Sequence, residues 1–372
     1  MLLLAPLLSV ACDKEAPSAT SAETSAKTSS SSSAKSSSAE PAGPPAPTYP
    51  TTGKVAEKLE GLAPTPINPK PQSVGSAKLS SIPCLYDGPA FVRAQGSSVI
   101  GDIAWSTDGS LYVIDSAQKL RRYKVEGGDD VCHLRMDRSF GENGFYSTGD
   151  IIGTYLEGLS ADAHGHVIAS TGLRGSHRIT GTKVDYHCKE SKGNVAINPA
   201  GTTGSSFYAS KGQKISYTDS GCTVEPWEPA AGNLATPDHD ATEKIFEYSL
   251  VGDRVFVAAV SPTLAREVGM DGQPVGKAFG PKRGGFCSIG SIVGCAHGLC
   301  IFDYNCKELR VFKDKETPLG SVNLHTLVGL PSLAAPHGVT YVRKGVAYVT
   351  MTPGLGRGNG VYEGFIFRIR GL

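Results

Sequence analysis

Apolar and polar positions alternate in short bursts along most of this chain. From Ile100 to Lys124 it reads IGDIAWSTDGSLYVIDSAQKLRRYK. Asp102 to Ser106 alternates towards a turn at Thr107, Asp108 and Gly109. Leu111 to Ile114 is a β-rich run, and Leu120 to Lys124 is another after a polar turn. Asp-Gly between two such runs predicts a β-hairpin. The pattern recurs. Hairpin glycines are expected at Gly109, Gly165, Gly204, Gly252, Gly298 and Gly345, each followed by a strand: SLYVID, HVIAST, SSFYAS, DRVFVAA, LCIFDY and VAYVTM. Short apolar runs precede them: DIAWS, GLSAD, NVAIN, IFEYSL, SIVG and GVTYV.

A period of about 47 residues with about four strands each predicts propeller blades. Helical repeats are excluded by that period and by the scarcity of helical periodicity. The fold expected over residues 76–372 is all-β, a six-bladed β-propeller. GFIFRIRGL is the third strand of the last blade, after which the sequence given stops. A spare strand at Pro89 to Ala94 is expected to supply the fourth strand of that blade, closing the ring and removing two sheet edges.

The ends of the sequence change the picture next. Met1 to Ala11, MLLLAPLLSVA, reads as a signal-peptide apolar region too short to span a membrane. Residues 12–75 are rich in Ser, Ala, Thr, Pro and Lys and cannot bury enough apolar surface to offset ordering entropy. A disordered stalk is expected there.

Three resemblances follow from these stretches. Ser9-Val10-Ala11-Cys12 resembles the lipobox of bacterial lipoproteins, which implies acylation at Cys12 and an exported, membrane-anchored protein of the cell envelope. GDIAWSTDGSLYVIDSAQKLRRYKV and PHGVTYVRKGVAYVT resemble NHL-type propeller blades. YLEGLSAD is similar to the opening motif of gluconolactonase-like propellers, which hold a divalent cation in the channel.

Composition narrows the functions. The 372 residues carry a net charge of +1, and no basic run is interleaved with aromatics, so nucleic acid is not expected as a partner. The motifs CxxC, HExxH and GxSxG are absent. The repeat alignment places Gly101 and Asp102, Glu157, Asn194, Ser291 and His337 at equivalent positions near the channel mouth. Asp238, His239 and Asp240 precede the first strand of blade four. Asp102, Glu157, Asn194 and His337 are the candidate binding residues. Their plain reading is polar residues solvating the mouth; carboxylates, an amide and an imidazole also suit a divalent cation such as Ca²⁺. No cofactor is otherwise expected. His164 and His166 flank a turn and read as solvated. The favoured function is a binding module for a protein, glycan or peptide partner. Alternatives are a metal-dependent hydrolase or lactonase, and a structural envelope lipoprotein.

Nine cysteines are many for a chain without metal-site spacing. Setting Cys12 aside leaves eight, with 105 possible connectivities. In blade five, a turn at His297 and Gly298 sets Cys295 opposite Cys300, and the same register brings Cys287 near Cys306. Cys84, Cys132, Cys188 and Cys222 fall just before the outermost strands of blades six, one, two and three. A bridge needs Cα atoms within about 7 Å, so only neighbouring blades connect. Using all four gives Cys84–Cys132 and Cys188–Cys222.

Overall fold

The computed structural model describes residues 67–87, 92–94, 100–115, 119–146, 156, 158–208, 211–227, 245–259, 264–281, 285–330, 335–342, 345–352 and 361–372. The signal segment, Cys12 and the stalk up to residue 66 lie outside the described residues. So do Glu157, the Asp238–Asp240 run and the glycine-rich Gly354–Gly360 segment.

The chain is nearly all β. A leading segment gives β1 (Gln72–Val74), β2 (Ala77–Tyr86) and β3 (Val92–Ala94). The first antiparallel unit is β4 (Ile100–Trp105), β5 (Ser110–Asp115), β6 (Leu120–Glu126) and β7 (Cys132–Met136), with β8 (Phe145–Tyr146) beside β6. The second is β9 (Gly158–Ala161), β10 (His166–Ser170), β11 (Ser176–Thr180) and β12 (Lys183–Cys188). The third is β13 (Asn194–Ile197), β14 (Thr203–Tyr208), β15 (Lys211–Tyr217) and β16 (Cys222–Pro226). A fourth has β17 (Ile245–Val251), β18 (Arg254–Ala259) and β19 (Ala265–Val268). In place of its fourth strand stand single bridges, Ala265 to Phe279 and Val268 to Pro274. The fifth is β20 (Ile289–Cys295), β21 (Gly298–Asp303), β22 (Glu308–Asp314) and β23 (Thr317–Asn323). The last comprises β24 (Ala335–Val342), β25 (Val346–Thr352) and β27 (Phe365–Arg370), with β26 (Val361–Glu363) outside it.

The first strands of these units touch in cyclic order: β4 with β9, then β13, β17, β20 and β24, and β24 with β4 again. This is a propeller-like arrangement around a central cavity. Its core lies between sheets. Tyr112 and Ile114 of β5 pack on Val167 and Ala169 of the second unit, while Leu111 and Val113 pack on Tyr348 and Ile366 of the last. All six residues of β5 are therefore buried, because both faces of a middle strand meet a neighbour. Trp105 stacks on Tyr348 with ring centroids 5.6 Å apart. One short helix, α1 (Leu324–Val328), follows β23. Asn323 caps it by accepting from the Thr326 amide, and Gly329 ends it at φ 76°.

Four expectations are corrected. The fourth strand of the last unit is β2, not the strand at Pro89 to Ala94: Ser80 to Pro83 pair with Arg370 to Phe367. The reason is length and pattern. β2 has ten residues with alternating burial over its first half, whereas β3 has three and pairs with β26 in a separate ribbon. After Pro83 the strand changes partner, and Cys84 to Tyr86 run parallel to Cys132 to Leu134 of β7. Proline has no N–H to continue a ladder, so the hand-over falls at that residue. Second, the folded part starts before residue 76. Ile67 is 1% exposed, the Asn68 amide donates to Gly329 O at 3.0 Å, and β1 pairs with β2. Third, the hairpin glycine of the third unit is Gly201, at φ 72°; Gly204 sits inside β14 opposite Ile197.

The fourth correction concerns cysteine placement. The eight cysteines lie in the four expected pairs, with Cα–Cα distances of 4.5 Å for Cys84–Cys132, 5.8 Å for Cys188–Cys222, 5.5 Å for Cys287–Cys306 and 5.9 Å for Cys295–Cys300. The surroundings differ. Cys295 faces Gly298, and Cys300 faces Val293, so that bridge runs diagonally across β20 and β21. The turn is Ala296-His297, because Gly298, at φ 129°, already starts β21. At the rim, Cys84 lies within the outermost strand and Cys188 ends one, while Cys132 and Cys222 begin theirs.

In the chain-entropy account a bridge stabilises in proportion to the logarithm of its loop, about 4 kcal/mol for the 48-residue separation of Cys84–Cys132 and about 2 kcal/mol for the five-residue Cys295–Cys300. Replacing Cys84 and Cys132 together by Ser should therefore lower the unfolding free energy roughly twice as far as replacing Cys295 and Cys300. Guanidinium unfolding curves of the two double variants check the order.

Candidate functional site

The first strands surround a cavity of about 1170 Å³. Its lining runs from Gly101 and Asp102 to Trp105 along β4 and from Asn194 to Ile197 along β13, so the cavity follows these strands end to end. The innermost edge of each sheet has amides with no further strand to receive them. Side chains of the neighbouring unit accept them instead. Leu159 N donates to Asp102 Oδ2 at 2.8 Å, and Ile197 N to Ser160 Oγ at 2.9 Å. Ile292 N donates to Ser249 Oγ at 3.1 Å, and Trp105 N to Thr340 Oγ1 at 2.9 Å.

One end of the cavity carries a repeated irregularity. The ladders of β4, β17, β20 and β24 each take up an extra residue near the strand start, between Ile100 and Ile103, Ile245 and Glu247, Ile289 and Ser291, and Pro336 and Gly338. Such bulges re-aim side chains at a rim. Asp102 and His337 lie in two of them. The repeat alignment thus marks a common backbone feature.

Asp102 and Asn194 line the same cavity. Gly158 packs against Asn194: a Cβ there would come within 2.7 Å of Asn194 Oδ1. Asp102 Oδ1 also accepts from Ile103 N at 2.8 Å. It lines the cavity, and burial pushes its pKa up to about 7 against the pull of the two amide bonds. His337 lies in β24, with its side chain outside the described set. Asp102 is therefore both a mouth residue and a staple between two sheets.

Two other carboxylates on the lining, Asp115 and Asp162, already have partners. Asp115 pairs with Arg121 at 2.6 Å, and the equivalent Asp303 of the fifth unit pairs with Arg310 at 3.3 Å. Asp162 accepts from the His164 and His166 amides and bonds the His166 ring, whose Nε2 meets Arg178 at 2.9 Å. His166 is thus held in a chain of polar contacts, not solvated at a turn.

A second group escaped sequence reasoning. His177 and His187 face each other across β11 and β12 and stack at 4.2 Å. His177 is 2% exposed, neither ring nitrogen has a partner among the described residues, and burial plus the His187 charge hold its pKa down at about 4. Only the strand register brings these two together, so spacing alone carried no signal. Cys287, Asp303 and Cys306 also cluster, but the two sulfurs bond to one another and Asp303 accepts from the Cys287 and Ser288 amides.

No protein-family model matches the chain, and no curated protein matches it in sequence. Solved structures similar to it include the WD40 β-propeller domain of Doa1, 10% identical over 73% of this chain and 80% of that one, TM-score 0.42. Regucalcin of Agrobacterium tumefaciens, a calcium-binding protein, is 10% identical over 73% and 91%, TM-score 0.44. BamB of Moraxella catarrhalis is 8% identical over 80% and 93%, TM-score 0.40. The propeller-like arrangement itself stands on the sheet order and cyclic contacts of this chain.

The two shifted groups have opposite pH signatures. Asp102 binds its proton more tightly folded than unfolded, so its contribution to stability falls as pH rises from about 4 to about 7. Relative to Asp102→Asn, the parent chain should lose roughly 2 kcal/mol between pH 5 and pH 8. His177 binds its proton less tightly folded, so its contribution is intact above the ordinary value of 6.5 and is lost as pH falls towards 4. His177→Phe should be the less acid-sensitive protein. Urea midpoints across pH 4 to 8 for the three chains test both.

Proposed function

We propose that the chain is an exported, membrane-tethered binding module: a closed six-bladed propeller, held through acylated Cys12 and a flexible stalk, that receives a protein, glycan or peptide partner at one mouth of its channel. The observation that carries this reading is the asymmetry of the two faces. At the far ends of the first strands the chain reverses through tight turns such as Ser106–Gly109 and Ala296–His297. At their starts arrive the long connections, residues 137–157, 227–244 and 269–288. Binding residues concentrate on long connections carried by a rigid scaffold. Four disulfide pairs suit an oxidising compartment. Among the described residues no helix is long and apolar enough to cross a membrane, so tethering is assigned to the lipid.

A second reading, a metal-dependent hydrolase or lactonase, is favoured by the presence of Asp102 and Asn194 on the lining of one cavity. It requires a stoichiometric divalent cation in the purified protein, lost on Glu157→Gln.

A photo-crosslinking residue at Asn194, at the mouth, should give a discrete adduct in envelope preparations. The same residue at Lys183, in the turn region of the opposite face, should give none. Equal labelling at both positions contradicts the assigned face. Mass spectrometry of detergent-extracted protein should find a lipidated N-terminal Cys12; a soluble chain with another N-terminus removes the anchor.

A further inference from the structure

The lining of the cavity is unevenly charged. Among the described lining residues the titratable side chains of like sign are Asp102, Asp115 and Asp162, and no Lys, Arg or His lines it. Asp115 has Arg121, and Asp162 has the His166–Arg178 chain. Among the described residues Asp102 has the amides of Ile103 and Leu159 and no ion pair. Two amide bonds occupy one acceptor site on each oxygen, and a carboxylate offers about four. The remaining sites belong to a group that faces the cavity. A carboxylate withdrawn from water without a cation is costly, and a positive ligand recovers that cost.

The kind of cation follows from the donor count. Ca²⁺ takes six to eight oxygens, commonly from several carboxylates. Here one carboxylate is left free of an ion pair among the described lining residues, which suits a single positive charge. The cavity is far larger than one ion needs. Tyr304 also lines it, with its ring laid over Gly290 so closely that a Cβ at that position has no room. A cavity lined by both an aromatic face and a carboxylate favours guanidinium or ammonium groups.

We propose that Asp102 receives the cationic side chain of an Arg or Lys carried by a polypeptide partner that enters the cavity. This rests on the cavity being the binding site, and it narrows the partner from protein, glycan or peptide to a polypeptide with an exposed basic residue.

The test uses the purified full chain and blocked peptides, Ac-Gly-Gly-Arg-Gly-Gly-NH2 with Gln or Glu in place of Arg, by calorimetry. The Arg peptide should bind about tenfold more tightly than the Gln peptide, the ratio expected for one charge-assisted contact. The Glu peptide should not bind. Asp102→Asn, shown folded by near-ultraviolet circular dichroism, should bring the Arg-to-Gln ratio below about twofold. Should that variant fail to fold, carbon NMR of the Asp102 carboxyl in the parent chain decides: the Arg peptide must lower its titration midpoint. Equal binding of the Arg and Gln peptides, an unmoved midpoint, or displacement of the Arg peptide by equimolar Ca²⁺ overturns the proposal. A crosslink at Asn194 with no preference for Arg overturns the ligand class and leaves the binding face standing. Failure of both removes the cavity as the site.

Discussion

Each sheet of a propeller ends inward on a strand with one unpaired edge. In this chain that edge is not left to water. Asp102, Ser160, Ser249 and Thr340 each accept an amide from the first strand of the next sheet, at 2.8 to 3.1 Å. Every such bond joins two sheets that share no ladder at that point. The acceptors must be short, because the strands pack side by side, and polar, because a buried amide without a partner costs about 1–3 kcal/mol. The same requirement places polar groups on the lining of the cavity. Asp102, Ser160, Ser249 and Thr340 therefore both join sheets and line the cavity.

The seam between the last and first units is treated differently. There the sheets are hydrogen-bonded into one, since β2 pairs with β27 over its first half and with β7 over its second. Cys84 and Cys132 are register partners in the parallel stretch, so the bridge locks strands that are already adjacent. Arg368 adds to this by donating to the carbonyls of Gly128 and Asp129, and the Arg370 guanidinium meets Asp129 as well. The leading segment from Ile67 onward thus works as a strap across the rim: Ser81 reaches Leu327 O in α1, and Gln72 reaches Asn323 O. A strap that touches several units holds them together without an apolar core of its own.

Electrostatic satisfaction divides the ionisable groups into two kinds. Asp115 with Arg121, Asp303 with Arg310, and Asp162 with His166 and Arg178 are sets in which each carboxylate has a cationic or imidazole partner close by. Buried pairs of this sort hold geometry more than they add stability. Among the described residues Asp102 is held by amides alone, and it lines the cavity. Asp102 thus joins two sheets without an ion pair among the described residues, whereas the other carboxylates are tied to cations or an imidazole.

The alternation of apolar residues and the spacing of the turns determined the β-class, the six hairpins and the first strand of each unit, because these depend on local periodicity and turn chemistry alone. Cysteine positions within the repeats determined the four pairs, since only neighbouring sheets come within bridging distance. Tertiary structure decided what depends on competition between distant segments. The sequence offered the stretch at Pro89 to Ala94 as the closing strand, and β2 takes that place because its ten residues reach both the last and first sheets while β3 pairs with β26 alone. Register was likewise beyond local pattern: a shift at Gly298 moves Cys295 off Cys300 yet preserves the bridge diagonally. The repeat alignment brought out Asp102 and Asn194 as mouth residues, but the amides that hold Asp102, and the stacking of His177 on His187, come from strands whose pairing no short window of sequence encodes.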